Sequence, residues 1–138
     1  MSEANRAVAL EFQNIVSRHY LSALDRVIAP TMQMHDPASP PMPTPGPEGM
    51  RAFFGMYITA FPDIKSEEIH AVAEGDRVCL HWRCTGTNTG PLGPMPATGK
   101  KVDFQGMEVH RIADGKIQDT WVTWDKVGML QQLGVMPA

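Results

Sequence analysis

The order of hydropathy patterns predicts an α+β domain with helices first and a curved, mixed or antiparallel sheet wrapped over them. Apolar residues recur at spacings of three and four as far as Phe61, then at every second position from Ile64 to Trp124. The punctuation agrees: Glu74-Gly75-Asp76 and Asp114-Gly115 are tight-turn sequences between alternating runs, as a meander requires. A curved sheet over helices leaves a cavity between the layers, and that is where an apolar pocket is expected.

Each element follows in order. From about Asn5 to Ile28 the chain reads as one amphipathic helix or two joined ones: Val8, Phe12, Ile15, Val16, His19 and Tyr20 recur at helical spacing, and Leu24, Val27 and Ile28 continue it until Pro30 stops the run. Met34-His35-Asp36-Pro37 leads into a stretch with five further prolines from Pro40 to Pro47, which is a connection or a lid. Pro47-Glu48-Gly49 opens a second helix whose apolar side is Met50, Phe53, Phe54, Tyr57, Ile58 and Phe61, and Phe61-Pro62-Asp63 closes it. Strands are expected over Ile64–Ala73, Val78–Thr85, Val102–Ile112 and Ile117–Trp124, with a Gly/Pro-rich excursion from Gly86 to Lys101. A short helix with Val127, Met129, Leu130 and Leu133 ends at Gly134.

The chain of 138 residues reads as a single domain over 1–138, without repeats or a linker. A net charge of -3 with mixed signs lacks the basic stripe of a nucleic-acid binder. No apolar run is long enough to cross a membrane, and no signal segment opens the sequence. Cys79 and Cys84 fall on opposite faces of one strand, so they read as reduced thiols in a cytoplasmic protein.

The strand Val102–Ile112 holds the most informative residues. Alternation places Glu108 and His110 on the apolar face of Val102, Phe104 and Ile112, where ionisable groups need partners and suit proton transfer. A bulge at Gly106 would instead turn both outward. Asp125 ends the last strand, either as a helix N-cap or as an acid/base group at the pocket mouth. Trp82 and Trp121 are expected on inward faces with Tyr20 nearby as a further wall residue, whereas Trp124 points the other way. His35 is favoured over Asp36 for the pocket entrance, because neighbours on extended chain face opposite ways.

Ala60-Phe61-Pro62-Asp63, Gly75-Asp76-Arg77-Val78, Gly86-Thr87-Asn88-Thr89-Gly90, Pro96-Ala97-Thr98-Gly99-Lys100 and Arg111-Ile112-Ala113-Asp114-Gly115-Lys116-Ile117 occur in one order. Together with Trp121, Asp125 and Met129-Leu130-Gln131-Gln132-Leu133-Gly134, that order resembles the SnoaL-like polyketide cyclase (ester cyclase) family of the NTF2-like superfamily. The resemblance implies an NTF2-like cone, usually a homodimer through the outer face of the sheet. It also implies an intramolecular aldol reaction that uses no metal and no cofactor. It casts Asp125 as the proton-moving aspartate, with His110 and Glu108 holding the carbonyl. Asn88 stands where many relatives have a histidine, and Asn cannot titrate.

The expected function is proton abstraction beside a carbonyl in a small apolar substrate, by cyclisation or isomerisation. Trp82, Asn88, Trp121, His35 and Tyr20 are the expected substrate-binding residues. Two alternatives stand beside it: a hydrolase or hydratase of the same fold, and a non-catalytic binder of small ligands. No phosphate loop, zinc spacing or serine-nucleophile elbow is present.

Overall fold

Ser2–Ser17 forms helix α1, whose buried side carries Ala9, Phe12, Gln13 and Ile15. The computed structural model describes residues 2–137. After α1 a 3-10 turn over Leu21–Arg26 buries Ala23 and Leu24. Strand β1 then runs over Ile28–His35, where the sequence pattern had no strand. Pro30 does end the helical run, but within an edge strand, where its missing N–H costs no ladder bond.

Helix α2 spans Gly46–Ala60, with proline in its first turn where no N–H is needed. Strands β2 (Lys65–Glu74), β3 (Arg77–Thr87), β4 (Lys101–Ala113) and β5 (Lys116–Trp124) follow, and helix α3 covers Lys126–Gln132. The sheet order is β1-β5-β4-β3-β2, with β1 parallel to β5 and every other pair antiparallel. Asp114 and Gly115 both take positive φ, 55° and 73°, which a two-residue hairpin turn needs.

One carboxylate ties the helical layer to the sheet. Asp63, just after α2, accepts from the backbone N–H of Thr87 at 2.7 Å and from its hydroxyl at 2.8 Å. These bonds, the backbone one foremost, hold the Asp63 carboxyl below its ordinary range. A lowered carboxyl stabilises the fold above the unfolded pKa and loses that contribution as pH falls through the folded value. The stability gap between the wild-type protein and Asp63→Asn should therefore be widest near neutral pH and close below about pH 4. Urea melts across a pH series measure it.

Register decides what faces inward. Along β3 and β4 the pairing runs without interruption from Arg77↔Arg111 to Thr87↔Lys101, with Trp82 opposite Gly106. There is no bulge at Gly106, and β4 buries Val102, Phe104, Gly106, Glu108, His110 and Ile112 in strict alternation. The irregularity lies in β5 instead: Arg111 pairs Asp119 but Ile112 pairs Ile117, so Gln118 is the extra residue. That single residue shifts the parity of β5, and Thr120, Val122 and Trp124 share the inner side beyond it.

Candidate active site

α1, α2 and the inner face of the sheet enclose a cavity of about 100 Å³ with an overwhelmingly apolar wall. Phe12, Gln13 and Val16 come from α1, and Met50, Phe53, Phe54, Tyr57 and Ile58 from α2. Met34 and Asp36 enter from β1 and its end, and Ile64 and Ser66 from the start of β2. Trp82, Cys84, Phe104, Glu108, Val122 and Trp124 complete the sheet wall.

Glu108 and Asp36 are the two carboxylates on that wall, and their surroundings differ. Asp36 is occupied: it accepts from Ala38 N–H at 2.8 Å, Ser39 hydroxyl at 2.9 Å and Trp124 Nε1 at 2.9 Å. Glu108 is 8% exposed and His110 wholly buried. The Glu108 Oε2 lies 3.0 Å from His110 Nε2, although the ring nitrogen is not aligned with it as a hydrogen bond requires. Behind them, His110 Nδ1 meets the Thr120 hydroxyl at 2.7 Å, and Phe12 packs edge-on against the imidazole. A Thr hydroxyl donates or accepts, so it can accommodate either tautomer of the ring. The result is a line from Thr120 through His110 to the one cavity carboxylate without a hydrogen bond from the described residues.

Two other polar groups on the wall stay protonated near neutral pH. Burial, reinforced by the charge of Asp36, pushes the Tyr57 hydroxyl up to about 12. Burial also raises Cys84 to about 11; the Ser66 hydrogen bond opposes this and the Glu108 charge adds to it. Cys84 is therefore a wall thiol rather than a ready nucleophile.

Several residues expected at the site lie elsewhere. Asp125 is outside the cavity: its carboxylate accepts from Gly128 N–H at 2.9 Å and caps α3. Trp121 is 40% exposed on the outer face, between the His35 ring, stacked at 5.3 Å, and the Arg77 guanidinium at 5.6 Å. Trp124 takes its inward place, because of the extra residue at Gln118. His35 points outward because Met32 and Met34 face in; the same parity brings Asp36 to the cavity. Tyr20 is 55% exposed beyond the end of α1.

Asn88 is buried but spoken for. Its amide nitrogen donates to Ala60 O at 3.1 Å and Gly90 O at 2.9 Å, and its oxygen accepts from Thr98 N–H and hydroxyl at 2.8 and 2.9 Å. It fastens the long excursion to the end of α2. Of the expected residues, Trp82 and Glu108 line the cavity, and His110 stands directly behind Glu108. Sequence reading missed Asp36, Tyr57 and Cys84 as polar wall groups, although Tyr57 lies on a helix side already read as apolar.

The cap role of Asp125 has a measurable consequence. Asp125→Ala should cost about 1 kcal/mol of stability, and Asp125→Asn, which keeps an acceptor, much less. Denaturant melts of the two variants separate them.

A family model described as SnoaL-like polyketide cyclase matches residues 6–133. The chain belongs to that family. Within it, the chain is 37% identical over 92 residues to the aklanonic acid methyl ester cyclases DnrD of Streptomyces peucetius and DauD of Streptomyces sp. strain C5. Each match covers 64% of this chain, but 62% and 56% of those cyclases, so it spans less than two thirds of their length.

Solved structures agree on the fold. AclR from Streptomyces galilaeus, for which a hydroxylase activity has been proposed, superposes with a TM-score of 0.87 at 25% identity. That match covers 100% of this chain and 85% of AclR. IdmH from Streptomyces antibioticus, proposed to be a polyketide cyclase, gives 0.81 at 26%, covering 94% and 98%. The SnoaL-like fold thus carries more than one proposed chemistry, and the assignment must come from the site. Among the described residues, no helix is long and apolar enough to cross a membrane.

Proposed function

We propose that this SnoaL-like protein is a cofactor-independent enzyme that removes a proton from the carbon beside a carbonyl group in a small, largely apolar substrate. The observation that carries the reading is Glu108: an ungripped carboxylate on an apolar wall, with a buried imidazole at 3.0 Å behind it. Glu108 takes the α-proton and leaves an enolate. In a cyclisation the enolate carbon attacks a second carbonyl of the same molecule, and the alkoxide formed recovers the proton from Glu108. In an isomerisation the proton returns to a different carbon. Atoms and electrons balance without an oxidant or other co-reactant.

Asp125 has no part in this scheme. His110 is a positioning residue, because Glu108 and Phe12 stand between it and the cavity. It lies 3.0 Å from one carboxylate oxygen and, backed by Thr120, accommodates the change of charge as the proton moves. The names of DnrD and DauD support the cyclisation form, with a methyl ester of a polyketide acid as the model of the substrate class.

The test is hydrogen–deuterium exchange at the α-carbon of ketones that carry an aromatic ring, beginning with 2-tetralone, followed by proton NMR in D2O. Exchange above the buffer rate that disappears in Glu108→Gln supports the reading. Exchange at the buffer rate across the panel overturns it in favour of a ligand-binding protein. A hydratase is disfavoured by the mid-strand positions where a second water-holding group would stand, Val122 and Trp124, which are apolar or turned to Asp36.

Pairing of two copies through the outer face of the sheet belongs to the same reading, with exposed Val72, Met107 and Trp121 as its apolar surface. A solution mass of one chain by light scattering would remove it. Unpaired Cys79 and Cys84 fit a reducing cytoplasm.

A further inference from the structure

Proton abstraction beside a carbonyl needs a donor for the oxygen as negative charge builds on it. The family resemblance offered His110, but the structure sets that ring behind Glu108. The geometry points to Trp82: its indole N–H is the hydrogen-bond donor that recognises a carbonyl oxygen in the cavity, and so selects ketones and esters over hydrocarbons of the same shape. This inference rests on the proposed reaction and adds its oxygen-binding group.

Three observations carry it. First, Trp82 is 9% exposed, and its Nε1 is cut off from solvent with no hydrogen-bond partner among the described residues. A buried N–H left unpaired costs about 1–3 kcal/mol, so a donor of this kind is kept only if something else satisfies it. The other two tryptophans have no such debt: Trp124 Nε1 bonds Asp36, and Trp121 is exposed. Second, the same ring forms part of the cavity wall, so a bound molecule packs against the indole.

Third, the position of the ring is built in. Trp82 faces Gly106 across β3 and β4, and a Cβ at Gly106 would overlap Trp82 Cζ2 and lie 2.6 Å from Cη2. The missing side chain is the seat of the indole, and Phe104 braces it edge-on at 6.2 Å. Glu108 is two residues beyond Gly106 on the same inward face, hence diagonal to Trp82 across the strand pair. Diagonal neighbours stand roughly 7–8 Å apart at their Cα atoms, within reach of long side chains. A ketone whose oxygen binds Trp82 therefore lies within reach of Glu108.

The test compares acetophenone with α-methylstyrene, which replaces the C=O by C=CH2 at nearly constant shape. Both are titrated into the full chain labelled with 15N-tryptophan, and the three indole N–H signals are followed by NMR. Acetophenone should move the assigned Trp82 signal downfield, and α-methylstyrene should not. Trp82→Phe should weaken acetophenone about tenfold, the value of one hydrogen bond, and leave α-methylstyrene unchanged. A ketone that binds without moving the Trp82 signal overturns the inference, as does an equal loss for both ligands, which would make the ring a packing surface. Failure of acetophenone to enter also overturns it. The wild-type comparison needs no substitution, so a poorly folded variant does not spoil the test. Glu108→Gln separates the two proposals: it should abolish ketone exchange yet keep the Trp82 shift.

Discussion

Glu108→Gln is expected to slow ketone α-proton exchange by about 10²–10⁴-fold, the usual contribution of a positioned general base. The amide keeps the volume of the carboxyl, so the cavity wall and the bound ketone stay in place. What it loses is the ability to accept a proton. Stability should change little or rise, because the substitution removes a buried charge from an apolar wall. A folded Glu108→Gln protein with wild-type exchange would take Glu108 out of the mechanism. His110→Gln should have a smaller effect and should alter the pH profile of exchange rather than abolish it, since the imidazole acts through the carboxylate. A flat loss at every pH would mean that His110 is only packing.

Gly106→Ala carries the second large effect. The added methyl meets the Trp82 ring edge on one side and Trp124 Cβ at 2.7 Å on the other. Neither can simply swing away: Trp124 is held by Asp36 and packed by Phe104 and Tyr57, and Trp82 is buried against Phe104. Overpacking of this kind costs about 1–3 kcal/mol. Displacement of Trp82 should also weaken ketone binding more than α-methylstyrene binding. Thermal melts and the two titrations read both effects; an unchanged melting temperature would mean that the sheet relaxes around the methyl.

The helices, the antiparallel strands and both tight turns were legible because period and punctuation are local signals. β1 was not, because Pro30 and the short alternating run Met32-Gln33-Met34 look like the frayed end of a helix. Its partner lies at the far end of the chain, where no local pattern can point to it. Glu108 and His110 were legible because β4 keeps its alternation through Gly106. That glycine left a bulge open as the alternative; it is a seat for an indole, and only the facing strand discloses the difference. Trp121 and Trp124 exchanged faces because one residue, Gln118, shifts the parity of β5. The sequence Ile117-Gln118-Asp119-Thr120 carries no glycine or proline to announce the shift.

The parallel pairing of β1 with β5 sets the order in which this protein can assemble. Ile28 meets Ile117 and His35 meets Trp121, and the bond from Trp124 to Asp36 joins residues 88 positions apart. Chains dominated by such distant contacts fold slowly, since the loop must close before any contact rewards it. On a ribosome adding about 5–20 residues per second, β1 waits several seconds for its partner. Until β5 emerges, Met32 and Met34 have no neighbouring strand at this edge, and the cavity has neither Val122 nor Trp124 on its wall. The binding chamber is thus among the last parts of the molecule to exist, and a nascent chain stopped before Ile117 exposes an unpaired apolar edge to other chains.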